Sequence, residues 1–250
     1  MTNLADNKAK IKEIFTSIQG EGLYIGVKQL FIRFCACNLH CNYCDTDYMP
    51  QSLSDNASFL DVTPNELIDY IMTNSDIENL HSVSLTGGEP LIWSDFLREF
   101  MPKFKAKYYL ETNATIVHNI DDVIQNVDII SADIKLPSCS GVKNSFELHD
   151  AFFKKINEIK IDCSIKKQFN CDNENIFAKV VFDEKINDNE IQKTIELAKK
   201  YYFDIILQPK MIDDKPSVSS DFIIKIFEKF NKLYMHTRLI PQMHKFINIE

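Results

Sequence analysis

The sequence of 250 residues contains little glycine, little arginine and no long apolar run. Glycine occurs only six times, well below its usual share of about 7%, so we expect each glycine to lie where the backbone geometry requires it. Of the 28 basic residues only Arg33, Arg98 and Arg238 are arginine. Where lysine is the usual cation, an arginine is a candidate for binding a planar anion through two hydrogen bonds.

The charge and the absence of apolar segments exclude several kinds of protein. With 36 acidic and 28 basic residues the net charge is −8, so there is no basic footprint for duplex nucleic acid or an anionic membrane. The first twelve residues are polar and carry three lysines, unlike a secretory signal. No stretch reaches the ~18 apolar residues of a membrane span. We expect a soluble, cytoplasmic protein without a nucleic-acid or membrane partner.

Apolar periodicity predicts alternating strands and helices, and therefore a parallel sheet with right-handed crossovers, either open or curled into a partial barrel. The predicted strands cover residues 29–34, 82–85, 107–110, 128–134, 178–182, 205–207 and 234–239. The predicted helices cover residues 64–73, 146–159 and 222–233, with two more beginning near Ser94 and after Asn187. We expect one domain over residues 1–250, with an elaborated crossover at about 138–174, and ligands at the carboxyl ends of the strands.

Four of the seven cysteines crowd into ten residues just after the first predicted strand. Cys37, Cys41 and Cys44 are separated by three and two residues, and thiolates at this spacing can wrap one corner of a [4Fe–4S] cluster. Three ligands leave one iron open to a substrate or cofactor. Cys35 precedes the motif and is expected to be a spare thiol.

A structural zinc site is the main alternative for this loop. Such sites prefer four ligands, commonly in two pairs, and the remaining cysteines are widely separated: Cys139, Cys163 and Cys171. His40 could supply a fourth ligand, but it is adjacent to Cys41 within the same loop. The sequence therefore favours a cluster over zinc, and predicts that the three distant cysteines are free thiols.

A second motif, Thr-Gly-Gly-Glu-Pro over residues 86–90, closes the next predicted strand. Glycines at a strand's carboxyl end let the backbone approach a ligand, and a carboxylate there can bind an ammonium group. Alone, this motif indicates only a turn. With the cysteine loop at the neighbouring strand end, it predicts one shared ligand site.

Together the CxxxCxxC loop and the GGEP turn resemble the radical S-adenosylmethionine (SAM) superfamily. The resemblance implies an α/β fold, a partial (open) parallel β/α barrel, in which Cys37, Cys41 and Cys44 hold a [4Fe–4S] cluster whose open iron chelates SAM. The implied SAM-binding residues are Gly87, Gly88, Glu89, Glu111, Asn113, Ser131, Asp133, Lys135 and Gln208. Each of those at the later strand ends could instead be a helix cap, a surface ion pair or a turn.

The flanking motifs are similar to those of the 7-carboxy-7-deazaguanine synthase family. They are Gln-Gly-Glu-Gly at residues 19–22, Arg33, Cys-Asp-Thr at 44–46 and Pro-Gln-Met-His-Lys at 241–245. The resemblance implies a lyase of queuosine (7-deazapurine) biosynthesis that uses SAM and Mg²⁺ to convert 6-carboxy-5,6,7,8-tetrahydropterin to 7-carboxy-7-deazaguanine with loss of ammonia. It also implies an external electron donor and a homodimer. The implied substrate-binding residues are Gln19, Gly20, Glu21, Gly22, Arg33, Thr86 and His244, and Thr46 is the implied Mg²⁺ ligand.

These residue types suit a pterin. Its amide-and-amine edge needs both acceptors and donors, which Gln19 and Glu21 offer, and its carboxylate suits the bidentate guanidinium of Arg33. Arg33 could otherwise be a surface strand residue, and residues 45 and 46 a turn or a helix cap. Two other functions remain open: a glycyl-radical-enzyme activase, which does not account for the Gln-Gly-Glu-Gly loop, and a non-catalytic zinc-binding module.

Overall fold

A nine-stranded, mostly parallel sheet organises the chain in the computed structural model, which describes residues 7–44, 59–165, 175–247 and 249. Its strands are β1 (Ala9–Ile18), β2 (Lys28–Phe34), β3 (Leu60–Val62), β4 (Ser82–Gly87), β5 (Tyr108–Thr112), β6 (Ile129–Asp133), β7 (Ile176–Phe182), β8 (Asp204–Pro209) and β11 (Thr237–Leu239). A separate hairpin consists of β9 (Met211–Ile212) and β10 (Lys215–Pro216).

The helices lie between the strands, as the alternating pattern predicts. They are α1 (Pro64–Asn74), α2 (Ser94–Lys103), α3 (Asp121–Ile124), α4 (Pro137–Ser140), α5 (Ser145–Ile165), α6 (Asp188–Tyr201), α7 (Ser220–Leu233) and α8 (Met243–Ile247). Within the described ranges, 3₁₀ turns cover Gly22–Tyr24 and Pro90–Trp93. Among the described residues, no helix combines the length and the apolar character that crossing a membrane requires.

Seven strands run parallel in the order β11-β8-β7-β6-β5-β4-β2, with β1 antiparallel to β2 and β3 antiparallel to β1. Since β3 and β11 form two separate edges, the sheet is open. The predicted partial, open α/β architecture is confirmed. Parallel pairing brings the carboxyl ends of β2 and β4 to β8 to one edge, where a ligand site is expected.

Capping boxes begin two of the helices, α1 and α6. The Thr63 hydroxyl accepts a hydrogen bond from the backbone N–H of Glu66, whose carboxylate accepts one from the Thr63 N–H. Asn187 and Glu190 make the same reciprocal pair at α6. These boxes satisfy backbone donors that the first turn leaves unpaired, and they explain why the two helix starts are readable from the sequence.

The core divides between the two faces of the sheet. The larger cluster contains Leu110 and Ala178, together with the helices packed outside the sheet. The smaller cluster contains Tyr109 and Phe177, which point to the opposite face because successive strand residues alternate. Gly22, at φ +69°, packs onto this smaller cluster, and a Cβ there would lie 2.6 Å from the Phe177 ring.

The structure differs from the sequence-based expectation at both ends of the sheet. β1 was not predicted, although its first half alternates lysine with small or apolar residues as a half-buried strand does. Only Ala9 and Ile11 are buried in it, and pairing with β2 and β3 holds it in the sheet. β11 begins later than predicted because Tyr234 caps α7 through its N–H to the carbonyl of Phe230. The crossover after β6 contains α4 and α5. A single domain stays a prediction.

Candidate active site

A cavity of about 330 Å³ opens at the carboxyl edge of the parallel strands, within the usual size of small-molecule sites. It brings together most of the residues that the sequence singles out. These are Gln19, Gly20, Glu21, Arg33, Cys37, Cys41, Cys44, Thr86, Gly87, Gly88, Glu111, Asn113, Asp133, Lys135, Gln208 and His244. Gly22, Glu89 and Ser131 are buried outside the cavity wall, and Thr46 lies outside the described residues.

The cysteine loop leaves the end of β2 and turns at Ala36, which has a φ of +66°. Two backbone hydrogen bonds join it to the glycine turn: the Gly88 N–H donates to the carbonyl of Phe34 (3.0 Å) and the Glu89 N–H to that of Ala36 (2.9 Å). On its other side the Asn42 N–H donates to the Ser140 carbonyl of α4 (2.9 Å). The loop is therefore held by the turn after β4 and by the end of α4.

The three thiols suit the corners of an iron–sulfur cluster. The Cys37 sulfur accepts hydrogen bonds from the Leu39 N–H (3.4 Å) and the Asn113 amide (3.7 Å), as expected around a thiolate ligand. Burial raises the pKa values of Cys37 and Cys41, while the Lys135 ammonium opposes that rise. In the described part of the chain no three His, Cys, Asp or Glu side chains are grouped as around a single ion. A cluster binds each thiolate to a different iron, so its ligands need not converge.

The turn after β4 needs glycine at two positions because it lies against the cysteine loop. Gly87 has a φ of +121°, and a Cβ there would lie 2.3 Å from the carbonyl oxygen of Phe34. A Cβ on Gly88 would lie 1.9 Å from that of Ala36. Neither position has room for a side chain. Both glycines also line the cavity, so the same turn that packs on the cysteine loop exposes its backbone to a ligand.

Glu89 does not present its carboxylate to the cavity. It is fully buried and accepts hydrogen bonds from the Leu91 N–H (3.1 Å), the Thr112 hydroxyl (2.8 Å) and the Asn113 N–H (2.7 Å). Burial raises the pKa of Glu89 to about 7 against these donors. The side chain fastens the glycine turn to the end of β5, and the sequence shows that a carboxylate follows the glycines but not which way it points.

A buried ion-pair cluster lies at the base of the cavity. The Lys179 ammonium of β7 lies 2.6 Å from Glu21, 3.3 Å from Glu111 and 3.4 Å from Asp133. Asp133 also pairs with Lys135 at 2.9 Å. Burial on its own would raise the pKa of Glu21, but the charge and hydrogen bond of Lys179 outweigh it and lower that pKa to about 2. Lys179 belongs to none of the sequence motifs, although a lone lysine inside an apolar strand was a signal in its favour.

The Gln-Gly-Glu-Gly loop is anchored from two sides. The Gln19 amide donates to Glu111 (3.2 Å), and its carbonyl accepts from the Glu21 N–H (3.0 Å). From the C-terminal segment, the Gln242 amide donates to Glu21 (2.6 Å). Helix α8 packs so closely that a Cβ on Gly20 would lie 2.5 Å from the His244 ring. The loop and the C-terminal segment therefore form one wall of the cavity.

The two remaining polar groups of interest lie on opposite sides of the cavity. Arg33 donates to Glu13 (2.6 Å) and stacks 5.1 Å above the Phe15 ring, with about a third of its side chain exposed. Gln208, at the end of β8, is almost fully buried, and its Oε1 has no hydrogen-bond partner among the described residues. A buried acceptor without a partner is costly, so it is suited to a ligand donor. Arg238 is mostly exposed near Asp204 and does not line the cavity.

Comparison with known proteins first defines the class. The Radical SAM superfamily profile matches residues 31–164, and the fold resembles crystalline QueE from Escherichia coli (TM-score 0.57, 20% identity, 95% of each chain). The chain is a member of the radical SAM superfamily.

Two relatives named 7-carboxy-7-deazaguanine synthase match nearly end to end. The one from Archaeoglobus fulgidus is 33% identical (97% of this chain, 99% of the relative), and the one from Geobacter sulfurreducens is 31% identical (96% and 97%). The chain belongs to the 7-carboxy-7-deazaguanine synthase family.

Proposed function

We propose that this enzyme converts 6-carboxy-5,6,7,8-tetrahydropterin to 7-carboxy-7-deazaguanine with loss of ammonia, as a step of 7-deazapurine synthesis in the cytoplasm. One observation carries the proposal: the cysteine loop, the glycine turn, the Gln-Gly-Glu-Gly loop and Arg33 all line one cavity. Relatives with the synthase name cover 96–97% of the chain. We also propose a homodimer and an external electron donor.

Cys37, Cys41 and Cys44 would hold the [4Fe–4S] cluster, with SAM beside them. A reduced cluster, when bound, supplies the electron that cleaves SAM to a 5′-deoxyadenosyl radical. The backbone of Gly87 and Gly88 would bind the polar end of SAM, and Gln208 would accept a hydrogen bond from its adenine amine.

The pterin would lie on the opposite wall of the cavity. Glu21 and Glu111 would accept hydrogen bonds from its amide and amine N–H groups. Glu111, which the resemblance assigns to SAM, would therefore bind the pterin, because Lys179 holds it beside Glu21. Arg33 would bind the pterin carboxylate through two N–H groups. Thr46 would place a hydroxyl on Mg²⁺ beside that carboxylate, since Mg²⁺ takes few protein ligands and keeps several waters. His244 would cover the substrate from α8, whose residues line the same wall.

The decisive experiment is an anaerobic reaction of the reconstituted, chemically reduced protein with SAM, Mg²⁺ and the pterin. Mass spectrometry should detect 7-carboxy-7-deazaguanine together with 5′-deoxyadenosine. The Cys41→Ala variant, which lacks one cluster ligand, should form neither. Omitting Mg²⁺, or replacing Thr46 by Val, should lower the rate of product formation while SAM cleavage continues.

The alternatives give different results in the same experiment. Cleavage of SAM without conversion of the pterin would reject this substrate and favour a glycyl-radical-enzyme activase, although that function does not require the Gln-Gly-Glu-Gly loop. A colourless protein containing stoichiometric zinc would instead identify a zinc-binding module. A cluster gives a broad absorbance near ~400 nm that the Cys41→Ala variant lacks.

A further inference from the structure

Lys179 is buried among carboxylates that come from three separate elements. It projects from β7 toward Glu21 of the loop after β1, Glu111 of β5 and Asp133 of β6, and only 7% of its side chain is exposed. Taking an ammonium out of water costs several kcal/mol unless counter-charges repay it. The charged form of Lys179 is therefore stable at this buried position only while those carboxylates surround it.

The charges in the cluster do not balance. Lys179 and Lys135 face three carboxylates, and Asp133 is shared between the two ammonium groups. One negative charge is left over, on side chains that are largely buried. Glu21 and Glu111 both depend on Lys179, and both line the cavity. A ligand that brings N–H donors to them would stabilise this remaining charge through hydrogen bonds.

The geometry fixes both carboxylates before any ligand arrives. Lys179 bonds one oxygen of each, Oε2 in both cases. The other oxygen of Glu21 accepts from Gln242, and that of Glu111 accepts from Gln19 and Ser84. Each carboxylate has about four acceptor positions, so both keep acceptor capacity while their orientation is set.

We propose that Lys179 is a positioning residue that holds Glu21 and Glu111 as a pair of charged acceptors for the N–H edge of the substrate. The lysine acts through these two carboxylates rather than on the reacting atoms. This inference rests on the proposed function, because the pterin is the substrate whose amide and amine edge would meet the pair. It adds the specificity rule that a ring without adjacent N–H donors is rejected.

The first test measures pterin binding by calorimetry in the cluster-loaded, SAM-bound protein. Lys179→Met, which removes the ammonium but keeps the length of the side chain, should weaken binding about 10- to 100-fold at neutral pH, the range for hydrogen bonds to a charged group. Lys179→Arg keeps the charge and should recover most of the affinity. Wild-type affinity in the Met variant would overturn the proposal.

The pH dependence separates this role from general damage to the fold. The groups facing Glu21 are Lys179, Gln242 and His244, with Asp133 and Tyr109 nearby. Without the Lys179 charge, burial should raise the pKa of Glu21, so its carboxylate becomes protonated as the pH falls. The affinity ratio of wild type to Lys179→Met should therefore grow between pH 8 and pH 5. A ratio independent of pH would overturn the proposal.

A double-mutant cycle supplies the final test. If Lys179 acts through Glu21, then Lys179→Met should cost less affinity in a Glu21→Gln background than in the wild type; additive losses would overturn the proposal. If the Met variant loses its iron, Lys179→Gln replaces it, because glutamine keeps a hydrogen-bond donor but carries no charge. The expected and the refuting results are the same as for the Met variant. Failure of the wild type to bind the pterin would refute the proposed function instead, so the two failures are distinguishable.

Discussion

Replacing Gly88 by alanine tests whether the glycine turn sets the position of the cysteine loop. The φ of Gly88 is not in the left-handed region, so the added methyl group acts only through contact. Its Cβ would lie 1.9 Å from the carbonyl oxygen and 2.5 Å from the carbonyl carbon of Ala36, where ordinary contact begins at 3.4 Å. The methyl group meets backbone, which cannot rotate aside as a flexible side chain can.

The size of the required shift predicts the effect. The Ala36 carbonyl would have to move by roughly 1.5 Å, whereas metal ligands tolerate displacements of about 0.2 Å. Cys37 follows Ala36 directly and would be carried out of position relative to Cys41. The shift would also break the hydrogen bond from the Glu89 N–H to the Ala36 carbonyl. We expect Gly88→Ala to lose most of its cluster and about 1–3 kcal/mol of unfolding free energy.

The assay is iron per chain after anaerobic reconstitution, with the thermal midpoint of the apoprotein measured in parallel. Gly26→Ala is the matched control: no atom lies within 4 Å of a Cβ at Gly26, but its φ is +91°. That variant should lose about 1–2 kcal/mol of stability through backbone strain and keep its iron. If Gly88→Ala binds as much iron as the wild type, contact with the cysteine loop is not the reason for glycine at this position.

Three further predictions concern single side chains. Arg33→Lys should weaken pterin binding about tenfold because a fork of two hydrogen bonds becomes a point charge. The control Arg98→Lys, on the exposed face of α2, should bind the pterin as the wild type does. If Arg33→Lys also binds it with wild-type affinity, Arg33 does not belong to the site. Burial lowers the pKa of His149 to about 4 from 6.5. As the pH drops from 6.5 to 4, this histidine is therefore protonated in the unfolded chain before it is in the folded one. The free energy of unfolding should fall by up to about 3 kcal/mol over this range. In urea titrations His149→Gln should flatten this slope, and an unchanged slope contradicts the assignment. Glu89→Gln should cost about 1–3 kcal/mol in the same titrations because its amide would face backbone donors; a variant as stable as the wild type would refute this.

Much of the site was predictable because parallel strands put their carboxyl ends at one edge. The cysteine loop, the glycine turn and the residues after β5 and β6 each follow a strand that periodicity identifies. Their meeting around one cavity follows from topology alone. The identity of the superfamily and of the family came from short motifs, and the comparisons confirm both.

Other features depend on contacts that no local pattern encodes. Lys179 lies in the apolar strand β7, and its carboxylate partners come from positions 46 to 158 residues away. Glu89 belongs to a motif that predicts a ligand site, yet its side chain points to the end of β5. Gly22 belongs to the Gln-Gly-Glu-Gly motif but is required by Phe177. Side-chain direction depends on the neighbouring elements, so the sequence indicates the position of such residues but not their partners.

Two of the six glycines, Gly88 and Gly141, occur beside the cysteine loop for the same physical reason. On one side of the loop, the absence of a side chain at Gly88 lets the backbone of Ala36 approach closely. On the other side, a Cβ at Gly141 would lie 2.7 Å from the Asn42 amide. The Asn42 N–H also bonds the Ser140 carbonyl. Both glycines therefore serve close approach of the chain to itself. A loop clamped at both ends loses less conformational freedom when its thiolates take up iron, since part of the ordering cost is met by folding. The ligand geometry is thus set largely by the turn after β4 and by the end of α4, and the cluster binds to a loop already in position.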